Sequence, residues 1–187
     1  MRIRGVLVVI AAGAGLFACR TATLELAAPP PAPPPPSAAE VKWRAYFEDI
    51  SQGAILVRLD TRRLSYWSPE GDNYREFPIA VAQLPEYEML GMTEVVRRRV
   101  DPDWRPTPSM LERNPGLPRY VPPGPDNPMG EHALYLGWTH YAIHGTNNPA
   151  SIGRASTSGC IRMFPDHIAW LFEQVEIGTP VLVVRES

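Results

Sequence analysis

Short apolar or alternating runs dominate the chain from Val41 onward, and they predict a mainly β domain. Each run is four to six residues long and is bounded by Gly, Pro, Asn or Asp, as strands are. The predicted strands are Ala54–Leu59, Leu64–Trp67, Phe77–Ala82, Ala133–Trp138, Tyr141–His144 and Val181–Val184. This spacing suits a β-sandwich or a barrel with one or two short helices.

One helix is predicted near the C-terminus. Its apolar positions, Ile168, Leu171, Phe172 and Val175, recur at i, i+3, i+4 and i+7 and should pack on the sheet. Proline and aspartate near its start, and Gly178 with Pro180 beyond its end, are the expected boundary signals. A weaker helical pattern covers Val41–Asp49.

A long proline-rich stretch, Asp101–Pro128, separates the third and fourth predicted strands. Nine prolines among scattered Gly, Asn and Asp predict an ordered irregular excursion. We expect it either to border the active site, with Trp104 and Tyr120 as contacts, or to pack over a sheet edge.

The first 19 residues are typical of a signal peptide. Two arginines precede the apolar stretch Val6–Phe17, which is too short to span a membrane. The run Leu16–Cys19 resembles a bacterial lipobox, in which the cysteine becomes lipidated, while the alternative is plain secretion with an incidental cysteine. Either interpretation predicts an exported, periplasmic protein, and lipidation of Cys19 would be its only membrane contact.

Residues 20–40 form a predicted linker before a single folded domain over residues 41–187. Seven of the eleven residues from Ala27 to Ser37 are proline, which favours an extended tether and cannot build a core. The rest of the 187-residue chain is long enough for one hydrophobic core.

The charge balance excludes a nucleic-acid partner. The formal net charge is -2, from 18 basic and 20 acidic residues, whereas phosphate binding needs clustered positive charge. The one basic run, Arg97–Arg99, is interpreted as a solvated face and given no functional weight, the alternative being that it meets the carboxylates of an acidic polymer.

The candidate chemistry lies between Tyr141 and Met163. His144 ends a predicted strand, and sixteen residues later Cys160 follows Gly159 and precedes Ile161 and Arg162. A thiol nucleophile needs a nearby base or cation to lower its pKa, and His144 and Arg162 can supply these. Glycine permits a turn closed to other residues, in which the amides of Gly159 and Cys160 could form an oxyanion hole.

Two other interpretations of these residues, a structural role and a zinc site, compete with catalysis. Cys160 could be a small buried hydrophobe beside a structural histidine, although a lone thiol in an exported domain argues for use. A zinc site is disfavoured, because His140 and His144 would lie about 13 Å apart along a strand. We therefore interpret His132, His140 and His167 as surface or structural, with His132 and His140 near enough to meet substrate.

The segments His144-Gly145-Thr146 and Ser158-Gly159-Cys160-Ile161-Arg162-Met163 resemble the signature of the L,D-transpeptidase catalytic domain of the YkuD type. The likeness continues upstream through Val121–Gly130 and Ala133–Gly137. Many members carry a histidine where this chain has Ser158. The resemblance implies the L,D-transpeptidase fold, with no metal and no organic cofactor.

The resemblance also implies the roles of individual residues. Cys160 would be the nucleophile, His144 its general base, and the carbonyl of Gly145 would orient the imidazole. Arg162 would support the site or a substrate carboxylate. Residues assigned to substrate binding are Tyr135, Thr146, Asn147 and Ser158.

The implied reaction is acyl transfer on peptidoglycan. The thiol would attack the third residue of a stem tetrapeptide, expel D-alanine, and pass the acyl group to an amine of another stem peptide or of an anchored outer-membrane protein. Two alternatives remain open at this point: hydrolysis, as a carboxypeptidase or endopeptidase, and peptidoglycan binding without turnover.

Overall fold

The computed structural model describes residues 43–185, which form ten strands and two α-helices. The strands are β1 Ala54–Arg58, β2 Arg63–Trp67, β3 Tyr74–Pro78, β4 Val81–Ala82, β5 Gly91–Val100, β6 His132–Leu136, β7 Ala142–His144, β8 Ala155–Thr157, β9 Ile161–Arg162 and β10 Pro180–Val184. The helices are α1 Pro108–Arg113 and α2 Pro165–Gln174. The predicted signal peptide, Cys19 and the proline-rich linker lie outside the described residues.

Eight of these strands form one mixed sheet in the order β3-β2-β1-β10-β5-β6-β7-β9. Most neighbours are antiparallel, but β1 and β10 are parallel, and so are β7 and β9. The sheet curls into a half-barrel, and β4 pairs with β8 separately. The prediction of a mainly β fold is confirmed.

Five of the six predicted strands are confirmed to within two residues at each end. The sixth, Phe77–Ala82, is wrong as a single strand. Its first half belongs to β3, which pairs with β2, and its second half is β4, which pairs with β8. After Pro78 the amide of Ile79 still donates to the carbonyl of Arg62, and Ala80 then forms an isolated bridge to Arg162 of β9 before β4 begins.

The central strand β1 is buried on both faces, which explains why its sequence is apolar without alternation. Ile55 and Val57 join the main core, whereas Ala54 and Leu56 join a second cluster on the opposite face. Each fully buried aliphatic side chain of this kind contributes about 1.5–3 kcal/mol.

Helix α2 covers the main core as predicted. Ile168, Leu171 and Phe172 are buried, and the amide of Val175 donates to the carbonyl of Leu171 where the helix ends. Among residues 43–185, no helix is both long and apolar enough to cross a membrane.

The helix predicted over Val41–Asp49 is wrong in the part that the structure describes. Only Trp43–Ala45 forms a short 3-10 turn there. Phe47 and Ile50 then pack irregularly against the second cluster. Burial of the Phe47 ring and the Ile50 side chain on the sheet outweighs the weak helical preference of the segment.

The longest strand, β5, was not predicted. It joins β10 to β6 and so links the two halves of the sheet. Only Val95 among its ten residues is buried, so its sequence lacks the apolar alternation by which strands are recognised.

The excursion from Asp101 to Pro128 is ordered, as predicted, and contains helix α1. Thr107 caps this helix by accepting a hydrogen bond from the amide of Met110. The buried amide of Asn127 donates to the carbonyls of Pro102, Val121 and Pro122, at 2.9, 3.3 and 3.0 Å. One side chain thus ties both ends of the excursion together.

Candidate active site

The pairing of β7 with β9 brings the predicted catalytic residues to one face of the sheet. His144 is directly opposite Arg162, and Ile143 is opposite Ile161. Because side chains alternate along a strand, Cys160, two residues before Arg162, lies on the same face as His144. The isoleucines point the other way into the core, where both are fully buried. His144, Cys160 and Arg162 all line one cleft.

The imidazole of His144 is fixed by a main-chain carbonyl. Its Nδ1 is 2.7 Å from the carbonyl oxygen of Gly145. A carbonyl can only accept, so Nδ1 carries the hydrogen and Nε2 carries the free lone pair. The structure therefore places the Gly145 carbonyl where the family resemblance implied it.

The loop around Gly145 leaves little room for side chains. A Cβ atom on Gly130, whose φ is +66°, would lie 2.8 Å from the amide nitrogen of Thr146 and 3.1 Å from the carbonyl carbon of Gly145. This close approach requires glycine. Gly130 therefore lets the chain pass close to the segment that carries the Gly145 carbonyl.

Burial makes His144 a neutral base. The side chain is 4% exposed, and burial, reinforced by the positive charge of Arg162, lowers its pKa to about 4. The carbonyl oxygens of Gly145 and Met129 oppose the shift without reversing it. At neutral pH the imidazole is therefore uncharged and able to accept a proton.

The thiol of Cys160 is also neutral in this state. Its sulfur donates to the carbonyl oxygen of His140 at 3.4 Å. Burial raises the pKa of the thiol, although the amide of Ala142 and the charge of Arg162 both oppose the rise. The expected lowering of the thiol pKa is wrong for this state, because desolvation of the sulfur outweighs the nearby charge.

The His140 carbonyl reaches the sulfur through an unusual backbone conformation. His140 has φ +61°, a left-handed value that is uncommon for residues other than glycine. It lies in the connection between β6 and β7.

Arg162 supplies positive charge beside both reacting groups. It lines the same cleft as Cys160 and His144, and its Nε is buried without a hydrogen-bond partner. Burial lowers its pKa, and attraction to Cys160 opposes that change. The guanidinium is thus a partly desolvated cation directed at the site.

The turn before Cys160 has the strained geometry that glycine was predicted to allow. Gly159 has φ +131°, and a Cβ atom there would lie 3.1 Å from the carbonyl oxygen of Tyr87. The Gly159 amide donates to the hydroxyl of buried Thr157 at 3.2 Å, so it is engaged. The amide of Cys160 faces its own sulfur. Of the two predicted oxyanion donors, only the Cys160 amide is directed to the reacting atom.

A cleft of about 420 Å³ opens over these residues. Cys160, His144 and Arg162 line it together with several residues of the excursion, among them Asp103, Trp104 and Met110. The expectation that the excursion borders the site is confirmed, and so is the contact of Trp104. Tyr120 is instead on the outside, where the guanidinium of Arg105 lies 4.6 Å from its ring centre.

Two of the four predicted substrate-binding residues, Tyr135 and Ser158, line the cleft. The other two, Thr146 and Asn147, do not line it. Thr146 is buried and accepts a hydrogen bond from the amide of Asn148, and Asn147 donates to the carbonyl of Asp126. Both side chains stabilise the loop after His144 by hydrogen bonding to main-chain groups, Thr146 to the amide of Asn148 and Asn147 to the carbonyl of Asp126.

The side chains of the run Arg97–Arg99 divide between two sides of the sheet. Arg97 and Arg99 line the cleft, and Arg105 lines it from the excursion. Arg98 points to the other side, where it donates to the carbonyl of Phe172 and pairs with Glu176.

The remaining histidines have structural surroundings. His132 stacks on Phe172 with ring centres 4.9 Å apart, and His167 lies between Phe77 and Phe164. His140 lines the cleft. No group of three or more His, Cys, Asp or Glu residues between residues 43 and 185 is arranged to hold a metal ion.

Comparison with known proteins identifies the family. Residues 52–183 match the model of the YkuD family, the L,D-transpeptidase catalytic domain. The chain is 38% identical to "Putative L,D-transpeptidase in ATP synthase subunits region ORF 5" of Fuscovulum blasticum, over 94% of this chain and 93% of that relative. It is 39% identical to "Probable L,D-transpeptidase ErfK/SrfK" of Escherichia coli strain K12, over 74% of this chain and 46% of that relative.

Solved structures share the fold. The catalytic domain from E. faecium L,D-transpeptidase, solved acylated by ertapenem, matches 74% of this chain and 99% of its own with a TM-score of 0.54 and 23% identity. An L,D-transpeptidase from Mycobacterium smegmatis matches 71% of this chain and 58% of its own, with a TM-score of 0.52 and 21% identity. The chain belongs to the L,D-transpeptidase family of enzymes.

Proposed function

We propose that this enzyme forms an acyl-enzyme on Cys160 with the stem tetrapeptide of peptidoglycan and transfers the acyl group to an amine. The observation that carries the proposal is the arrangement of two neutral groups on one sheet face. His144, with Nδ1 bound to the Gly145 carbonyl, presents Nε2 as a base to the cleft that holds the thiol of Cys160.

In the first step the sulfur attacks the carbonyl carbon of the third stem residue. The thiol proton passes to Nε2 of His144 as the S–C bond forms. The C–N bond to the terminal D-alanine then breaks, and the imidazolium returns the proton to the leaving amine. Arg162 and the amide of Cys160 stabilise the negative charge that develops meanwhile.

In the second step an amine of the acceptor attacks the thioester. His144 removes a proton from that amine, a new amide bond forms, the S–C bond breaks, and the sulfur recovers its proton. Each proton that moves has a carrier among the residues of the cleft. Water in place of the amine would give hydrolysis.

Two comparisons support the substrate class. The relatives from F. blasticum and E. coli are both named as L,D-transpeptidases, a family that acts on peptidoglycan peptides. The E. faecium domain with the same fold was solved as an ertapenem acyl-enzyme, which supports a thiol that accepts acyl groups.

Product analysis tests the proposal. The purified chain is incubated with disaccharide-tetrapeptide, with and without an added amine acceptor, and the products are analysed by mass spectrometry. We expect release of D-alanine, a thioester on Cys160 and a new amide product. A Cys160→Ala variant that still releases D-alanine, or a wild-type chain that only binds the muropeptide, would contradict the proposal. Release of D-alanine without any amide product would identify a carboxypeptidase.

We also propose that the enzyme works in the periplasm, tethered through a lipid on Cys19. Support comes from the sequence, in which an apolar leader ends at a lipobox-like cysteine and a proline-rich spacer follows. Such a spacer would hold the catalytic domain toward the peptidoglycan and toward an anchored outer-membrane protein as acceptor. Cells are grown with a fatty-acid probe, and we expect Cys19→Ala to abolish labelling. Equal labelling of both proteins would refute the anchor.

A further inference from the structure

The cleft that holds His144 and Cys160 is strongly basic. Among the described residues that line it, four arginines face one aspartate. Arg162 belongs to the reacting centre, and the other three lie on β5 and the excursion. Positive charge concentrated in a cleft attracts anionic groups of a substrate.

A β-bulge aims two of these arginines into the cleft. Val95 is opposite Leu136, but Arg97 is opposite Tyr135, so one extra residue is inserted in β5. The insertion reverses the alternation. Arg97 and Arg99 share the face of Tyr135, whereas in a regular strand they would follow the buried Val95 into the core.

Arg97 and Arg99 differ in how their charges are used. Arg99 lies 3.4 Å from Asp103, and Arg105 lies 3.3 Å from the same carboxylate, so these three residues form an ion-pair cluster. Arg97 has no carboxylate partner among residues 43–185. Its guanidinium stacks on the ring of Tyr135, 3.7 Å from the ring centre. Stacking on the flat face leaves the edge of the guanidinium, with its N–H donors, available.

Tyr135 connects this guanidinium to the reacting sulfur. Tyr135 and Cys160 pack against the same small apolar cluster, which includes Ala133 of β6 and Ala142 of β7. A substrate group bound at the edge of Arg97 would therefore lie beside the bond that Cys160 attacks.

We propose that Arg97, held on Tyr135, binds a free carboxylate of the donor stem peptide and thereby selects the donor. The inference rests on the proposed function and names a specificity-determining residue for it. Guanidinium and carboxylate pair through two parallel hydrogen bonds, and a neutral amide offers only one acceptor. The donor has three carboxylate sources: the second residue, the side chain of a diaminopimelate third residue, and the terminal D-alanine.

The test combines enzyme variants with modified donors. The full chain is assayed for D-alanine release from four tetrapeptides, one unmodified and three each amidated at one of these carboxylates. Wild type is compared with Arg97→Gln, with Arg97→Lys, and with Arg75→Gln as matched control. Arg75 also stacks on an aromatic ring, that of Trp170 at 4.1 Å, but it is on β3 and does not line the cleft.

We expect Arg97→Gln to raise KM for the unmodified donor roughly 10- to 100-fold, with a smaller effect on kcat, as for loss of a charged hydrogen bond. Arg97→Lys should recover part of the loss, and Arg75→Gln should match wild type. For one of the amidated donors, the KM of the wild-type enzyme should rise by a similar factor. For that donor, Arg97→Gln should raise KM no further. That donor identifies the carboxylate.

Other outcomes overturn the inference and remain distinguishable. If the KM of Arg97→Gln equals that of Arg75→Gln, Arg97 does not bind a donor carboxylate. The same conclusion follows if Arg97→Gln raises KM by the same factor for every amidated donor as for the unmodified one. In both cases the proposed function stands. If wild-type enzyme releases D-alanine from none of the four peptides, the proposed function fails and the inference fails with it.

Discussion

Acylation of Cys160 should persist at a pH where an ordinary histidine base would be lost. The perturbation is acidification from pH 7 to pH 5, and the structure sets its effect through His144, whose pKa burial and Arg162 lower to about 4. At pH 5 roughly nine in ten imidazoles would then still be neutral, compared with about 3% for a histidine of pKa 6.5. The acylation rate should therefore change by less than a factor of two.

The assay is the time course of Cys160 acylation by a carbapenem, followed by intact-protein mass spectrometry at constant ionic strength. Below about pH 4 the rate should fall tenfold for each pH unit, because only the neutral imidazole accepts the thiol proton. A tenfold fall per unit that begins near pH 6.5 would refute the assignment of His144 as a buried neutral base.

Arg162→Gln is the companion variant for this assay. Removal of its charge takes away one of the two effects that lower the pKa of His144, and it also removes an effect that holds down the pKa of Cys160. The acid limb should consequently move to higher pH in the variant. An unmoved limb, together with an unchanged rate at neutral pH, would show that the Arg162 charge does not act on the base.

Three further predictions concern stability and reactivity. The pKa of His144 is about 4 in the folded chain and about 6.5 when unfolded, so the unfolded state binds more protons between these pH values. The free energy of unfolding should therefore fall by about 3 kcal/mol as the pH drops through this window. Urea titrations should show a smaller fall for His144→Asn. Gly159→Ala should slow carbapenem acylation more than tenfold and lower the free energy of unfolding by about 1–3 kcal/mol. The reason is that the new Cβ would lie 3.1 Å from the Tyr87 carbonyl oxygen at a left-handed φ. An acylation rate and a melting temperature equal to those of the wild type would contradict this prediction. Leu134→Ala should cost about 2–5 kcal/mol in urea unfolding because Leu134 is fully buried in the main core, and a loss below about 1 kcal/mol would place it outside that core.

The local sequence carried much of the fold. The complete apolar stripe of helix α2 and both of its boundary signals lie within the sixteen residues from Pro165 to Pro180, and the buried strands are continuous apolar runs between turn residues. Such features depend on neighbours along the chain, so they can be recognised without knowledge of distant contacts. Cys160 and His144 were predicted by the rarity of an unpaired thiol and by a family signature.

Strand β5 could not be predicted in the same way. Its residues are mostly exposed, and it becomes a strand because β10 and β6 offer hydrogen-bonding partners on both sides. Even a correct strand prediction would have given the wrong face for Arg97. Alternation from buried Val95 places Arg97 in the core, and only the bulge, a property of the pairing with β6, directs it to the cleft.

The sequence by itself determined which atoms are available for chemistry: the thiol of Cys160, the imidazole of His144 sixteen residues before it, and glycines where the backbone must turn tightly. The tertiary structure decided their state and their surroundings. The desolvation that leaves both Cys160 and His144 uncharged, the engagement of the Gly159 amide by Thr157, and the wall that Trp104 contributes all depend on segments distant in the chain. Burial and cross-strand register are sums over such contacts, and no local pattern of residues contains them.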